Sequence, residues 1–287
     1  LQKVRKRLIF LHRFMTRRMI HKITQFDKTL EKIFSFTPNE ISHSLSIPLK
    51  KASTIYKKLN HLDHPQMMKK DEEIAQIVTI YDKEYPDQLK TIPDAPLVLY
   101  TLGNIALLKH LPSISVIGTR KPTNEAPQKL KQIVTPIIKN DWVIVSGLAY
   151  GIDSLAHKLA LFHKGKTITV LGSGLNHIYP RENIQLFEQI AKMGLVVTEY
   201  PPDVPPRKYH FPERNRIISG LSLATLVIEA TEKSGTLITV DQALDQGREV
   251  YAVPGSPLIK QTVGCHQMIQ DGAKLIMCAN DILDDWK

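Results

Sequence analysis

From Ser113 onward, short runs of Val and Ile recur with room for a helix between most of them, and this rhythm admits few folds. Ile114–Ile117, Val143–Val145, Ile168–Leu171, Leu195–Thr198, Thr225–Ile228 and Val250–Val253 each have the length and composition of a strand buried on both faces. Alternation with helical patterns of ten or more residues predicts an α/β fold: an extended Rossmann-like, mostly parallel doubly wound sheet. Two further strand-like runs, Ile77–Tyr81 and Leu97–Tyr100, lie upstream. Pro86, Pro93 and Pro96 keep the segment between them from being helix interior.

Residues 1–70 read differently, as a small all-helical domain of the helix-turn-helix or helix-hairpin kind, with 71–287 as the sheet domain. Ile9, Phe10, Phe14, Ile20, Ile23 and Phe26 recur at helical spacing. Thr37-Pro38-Asn39-Glu40 has the form of a capping box with proline at the first helical position, and Ser46-Ile47-Pro48 marks a second start. This quarter also carries the charge. It holds 16 Lys/Arg against 4 Asp/Glu, and the remainder is close to balanced. Such a segment suits either a polyanion or an acidic partner surface. The two cysteines, Cys265 and Cys278, make neither a disulfide framework nor a four-cysteine zinc site, and fit a reducing compartment. The first apolar run, Leu8–Leu11, is closed by His12 and Arg13, so neither a signal peptide nor a membrane span is expected, and the chain reads as cytoplasmic.

In a doubly wound sheet, ligands collect beyond the carboxyl ends of the strands. Four loops there are rich in glycine: Gly118-Thr119-Arg120-Lys121, Ser146-Gly147 through Gly151, Gly172-Ser173-Gly174 and Lys233-Ser234-Gly235-Thr236. Their backbone N–H groups, at or near helix starts, suit a phosphate-bearing ligand. A dinucleotide is disfavoured, because the third glycine of its fingerprint is replaced by His177, and no Gly-Lys-Ser/Thr phosphate loop occurs. No cofactor is therefore expected. Between Pro205 and Arg216 lie Arg207, Lys208, His210, Arg214 and Arg216, with Tyr209 and Phe211. Cations that track phosphates beside rings that stack on bases suit an unpaired nucleic-acid strand. The alternative for Phe211 is a place in the core, and for one of the arginines a pairing with a sheet carboxylate such as Glu229. Asp153, His157 and Glu199 do not assemble into a catalytic constellation, so Asp153 reads as a first-turn carboxylate and His157 as a packed or surface residue.

The segments SVIGTRKPT (115–123), VSGLAYGIDSLAH (145–157), TVLGSGLNHIYPREN (169–183), TEYPPDVPPRKYHFPERNRIISGLS (198–222), EATEKSGTLIT (229–239), REVYAVPG (248–255) and GCHQMIQDGAKLI (264–276) resemble the DprA/Smf DNA-processing proteins. The layout of the N-terminal helices resembles that family's sterile-alpha-motif-like domain. The resemblance implies a non-enzymatic protein that binds and protects incoming single-stranded DNA and loads the RecA recombinase in natural transformation or recombination. It implies phosphate contacts from Arg120, Arg181, Lys208 and the 234–236 turn, with Phe211 stacking or forming a wall. It further implies a homodimer built around Leu244, His266, Ile269 and Leu275, residues whose apolar character fits core burial equally. Many relatives continue into a C-terminal winged-helix-like domain, which is expected to be absent here or removed by truncation. A competing reading is a nucleoside-monophosphate phosphoribohydrolase, whose phosphate loop the Ser234-Gly235-Thr236 turn resembles. That pattern wants a glutamate where this chain has Thr239.

Overall fold

Among the described residues, five α-helices precede the sheet: α1 (Gln2–His12), α2 (Arg17–Phe26), α3 (Pro38–Leu45), α4 (Leu49–Leu59) and α5 (His64–Ile74). The structure, a computed structural model, describes residues 1–60 and 64–287. The expected capping box forms, with the Thr37 side chain accepting from Glu40 N and the Glu40 carboxylate accepting from Thr37 N at 2.7 Å. The second expected start is built otherwise. Ser46 takes a left-handed conformation (φ 52°) as the C-cap of α3, and Pro48 precedes α4 with no side-chain cap.

Among the described residues, nine strands form one sheet: β1 (Gln76–Thr79), β2 (Val98–Gly103), β3 (Ser113–Ile117), β4 (Val143–Ser146), β5 (Thr167–Leu171), β6 (Leu195–Thr198), β7 (Ala224–Val227), β8 (Glu249–Ala252) and β9 (Lys274–Leu275). Their spatial order is β1-β2-β6-β5-β4-β3-β7-β8-β9. β2 runs antiparallel to both β1 and β6, and the other six pairings are parallel. The short α6 (Asp87–Lys90) lies between β1 and β2. Between successive parallel strands run α7 (Ala126–Lys139), α8 (Ile152–Phe162), α9 (Ile184–Met193), α10 (His210–Gly220), α11 (Gly235–Asp245) and α12 (Lys260–Gln270), and α13 (Asn280–Leu283) follows β9.

Strand residues alternate between two layers, as the pleat requires. Val143, Val145, Val227 and Val250 share a cluster with Ile217, Val240 and Met268 of α10–α12. Ile144, Val116 and Leu226 pack with Leu130 and Ala156 of α7 and α8. The N-terminal helices have no sealed core of their own, because Leu8, Ile20 and Ile55 share one cluster with Tyr100, Leu171 and Val196 of the sheet. The boundary expected at 70/71 falls inside α5.

Ion pairs clamp this junction. Arg5 meets Asp82 at 2.8 Å, Arg13 pairs with Asp71 and Asp203, and Arg17 pairs with Asp94 and Glu199. Part of the N-terminal positive charge thus serves internal contacts. Among the described residues, no helix is long and apolar enough to cross a membrane.

Candidate nucleic-acid interface

The turn after β3 is pinned from several sides, which leaves two cations at its tip. Thr119 N donates to Glu229 O at 2.7 Å, and Thr119 O accepts from Ile152 N at 3.2 Å. The Glu229 carboxylate, fully buried, accepts from Thr123 N (2.8 Å), Thr123 Oγ1 (2.5 Å) and Lys129 Nζ (2.9 Å). Gly118 permits this closeness, since a Cβ there would lie 2.6 Å from the Ile152 side chain. Arg120 and Lys121 stand exposed beyond it.

After β4, Gly147 N and Ala149 N donate to Asp153 in the first turn of α8, at 3.1 and 3.4 Å. The absent side chain of Gly147 leaves room for the guanidinium of Arg214, which would otherwise sit 2.5 Å from a Cβ. Arg214 donates to Gly147 O at 2.6 Å and to Val170 O. Burial pulls its pKa down to about 10, against the opposing pull of Asp153, so it stays cationic at neutral pH. Burial pushes the Asp153 carboxyl upward, partly offset by Arg214 and the two amides.

An open cleft of about 620 Å³ lies where these elements meet. It joins nine of the expected site residues: Gly118, Thr119 and Arg120 from the β3 turn, Lys208, Phe211 and Arg214 from the α10 segment, and Ser234, Gly235 and Thr236 from the start of α11. Ser234 gives α11 no side-chain cap, and a Cβ on Gly235 would meet nothing within 4 Å, so the helix N-terminus is open at the cleft wall. Phe211 is half-buried, and its ring lies 5.5 Å from that of Tyr179.

The other expected residues lie elsewhere. Arg216 is buried on the far side of α10, its Nη2 donating to both Glu199 carboxylate oxygens at 2.9 and 2.8 Å. Burial favours protonating Glu199, but Arg216 and Arg17 outweigh it and hold the carboxyl below its usual range. Neither expected arginine pairs with Glu229, whose cation is Lys129. Ser173 is buried and donates to His177 O at 2.5 Å, and Gly174 is pressed against Pro201 O and Pro202 O. Gly151, at φ 75°, lets the Thr119–Arg120 backbone come close. Gly147, Gly151, Ser173 and Gly174 therefore build walls and do not line the cavity. Arg181 and Lys121 are exposed outside its lining.

Tyr179, Asn215 and Lys233 also line the cleft. Each falls in or beside a quoted motif, but nothing in residue type alone separates it from a surface residue. Thr239 lies in the wall as well, and the carboxylate lining the cleft is Asp153, already engaged by two amides. Of the expected dimer residues, Leu244 and Leu275 are exposed at 58% and 42%, the latter on the edge strand β9. Ile269 packs partly into the core, and His266 bonds to the Gly255 backbone.

Residues 76–287 match the family described as DNA recombination-mediator protein A. The DNA processing protein DprA of Bacillus subtilis is 48% identical over 208 residues, covering 72% of this chain and 70% of that protein. The X-ray structure of DprA from Streptococcus pneumoniae superposes with a TM-score of 0.86 at 35% identity, covering 98% of this chain and 97% of that one. The Helicobacter pylori DprA structure, described for its single-stranded DNA binding mode, gives 0.67 at 30% identity, covering 74% and 98%.

Proposed function

The chain belongs to the DNA recombination-mediator protein A family, and on that footing we propose that it is a non-enzymatic binder of single-stranded DNA. One observation carries this reading: Arg120, Lys208, Arg214 and Lys233 converge on one open cleft with Phe211 and Tyr179. Arg120, Lys208 and Lys233 hold phosphates, joined by the free amides at the start of α11 and, along the approach, by Lys121 and Arg181. Phe211 and Tyr179 offer faces to unpaired bases. Arg214, anchored from below, supplies fixed positive potential at the cleft wall. The solved relative described for single-stranded DNA binding supports the same ligand.

Chemistry on the strand is disfavoured by the engagement of Asp153 and by Thr239 at the position a phosphoribohydrolase would give to glutamate. In the cytoplasm, the protein would protect incoming strands and load the RecA recombinase onto them in transformation or recombination, acting as a homodimer through the edge bearing Leu244 and Leu275. Titration of labelled oligothymidylate at several salt concentrations tests the ligand. Affinity should fall with salt, with a log–log slope of about 0.7 per neutralised phosphate. Salt-insensitive binding contradicts the reading. RecA assembly on the same oligonucleotide should be faster when the protein is present.

A further inference from the structure

Residues 199–209 join β6 to α10 and carry Lys208 into the cleft, and the N-terminal helices hold this segment from outside. On the sheet side its backbone accepts from Asn176 N at Pro202 O (3.0 Å) and from Gly174 N at Val204 O (2.8 Å). Between those two points the Asp203 side chain meets Arg13, at the end of α1, whose Nη2 donates to both carboxylate oxygens at 2.9 Å. Arg13 is itself a fixed post. Its side chain is 9% exposed, and its other terminal nitrogen donates to the buried Asp71 of α5. Arg17 pairs with Glu199, where the segment begins. Pro205 and Pro206 follow Val204, with fixed φ and no N–H, and lead to Lys208.

We propose that Arg13 is a positioning residue of the cleft: acting through Asp203, it sets where the 202–208 segment lies and so where Lys208 meets a phosphate. The inference rests on the single-strand reading above, and Arg13 acts without touching the strand. A stabilising role accounts poorly for the contact. Asp203 keeps 64% of its side chain exposed, and a pair so open to water adds little to stability. Asp71, 5% exposed, is the partner whose loss would cost the fold. The outer contact supplies geometry instead. Two adjacent prolines stiffen the chain, so a displacement at Val204 carries on to Lys208 and is not absorbed between them. Downstream, His210 is buried with its Nδ1 3.2 Å from Gly172 O, so Lys208 stands between two anchored points. Loss of the upstream one widens the positions its ammonium samples, and binding must then pay for ordering it. The sign of the effect sets this role apart. Asp203 is an anion near a surface that binds anions, so by charge alone it opposes binding. As an anchor it favours binding.

The test uses the full chain and labelled oligothymidylate, titrated at several salt concentrations. Asp203 is the residue to change, because removing Arg13 would leave Asp71 buried and uncompensated. Asp203→Ala should keep the parental urea midpoint and bind oligothymidylate at least about threefold more weakly. Its log–log salt slope should fall by up to about 0.7, the share of one phosphate contact. In a chain already carrying Lys208→Gln, the same substitution should add no further loss, since the residue it positions is gone. Unchanged or tighter binding by Asp203→Ala overturns the proposal. So does an equal further loss in the Lys208→Gln chain, with or without a lowered urea midpoint, which marks a merely structural contact. Failure of the cleft itself is recognised separately. The unaltered chain would then bind no strand, or Arg120→Glu would bind undiminished, and either result removes the single-strand reading and this inference with it.

Discussion

At the scale of single residues, the site rests on groups that bring backbone and guanidinium close together. Gly147 is the clearest case, because any Cβ there collides with Arg214. Gly147→Ala should lower stability by about 1–3 kcal/mol, the usual range for overpacking, and weaken oligonucleotide binding in parallel. Gly235→Ala, whose Cβ meets open space, should leave the urea midpoint unchanged, and comparing the two midpoints checks the contrast. Arg120 is exposed at the tip of a turn fixed by Glu229. Arg120→Glu should therefore keep the parental circular dichroism spectrum and lose single-strand affinity by at least about tenfold, as expected for the loss of a charge-assisted phosphate contact. These roles were only half legible beforehand. A glycine that admits a ligand and one that admits another part of the protein look alike in sequence, which is why Gly174, packed on Pro201 and Pro202, resembled a phosphate-loop glycine.

At the scale of elements, α10 shows how a helix divides a linear motif. Arg214 and Arg216 are two residues apart, so they point roughly 200° apart around the axis. One faces the cleft and the other the carboxylates of Glu199 and Asp94, which Arg17 also holds. The cationic cluster at 205–216 was evident from composition, but its partition depends on carboxylates brought in by β6 and by the segment before β2. Removing one member of a buried ion cluster leaves charges uncompensated, so Glu199→Gln should lower stability by about 3 kcal/mol and loosen α2 from the sheet. Hydrogen exchange of the α2 amides would report that loosening. Phe211→Ala should weaken single-strand binding by about 1–3 kcal/mol at unchanged salt slope, because stacking carries no counterion term.

At the scale of the whole molecule, the parallel strands from β3 to β8 were readable, since runs of Val and Ile between helices have few other uses. The two-residue β9 was not, being too short and too exposed to leave a hydrophobic signature. Nor could the sequence show that Arg5, Arg13 and Arg17 fasten the N-terminal helices to carboxylates 58 to 190 residues away. Global stability also depends on pH through His157, which is fully buried beneath the sheet. Thr167 Oγ1 donates to Ile144 O, so His157 Nδ1 donates to that hydroxyl at 2.7 Å, and Nε2 is left buried without a partner among the described residues. Burial, with Arg214 adding to it, holds the pKa at about 3. The unfolded chain takes up this proton near pH 6.5, and the folded chain does not until about pH 3. Stability should therefore fall as pH drops below 6.5, by about 1.4 kcal/mol per unit from this residue. Urea midpoints at pH 7.5 and 5.5 should show a smaller difference in His157→Gln than in the parent.

If the cleft grips a single strand, a crystal structure of the protein with a short oligothymidylate will place the strand there. Phosphates should lie against Arg120, Lys208 and the amides of 234–236, with a base against Phe211. An ordered strand on the opposite edge of the sheet, leaving these residues untouched, would contradict it.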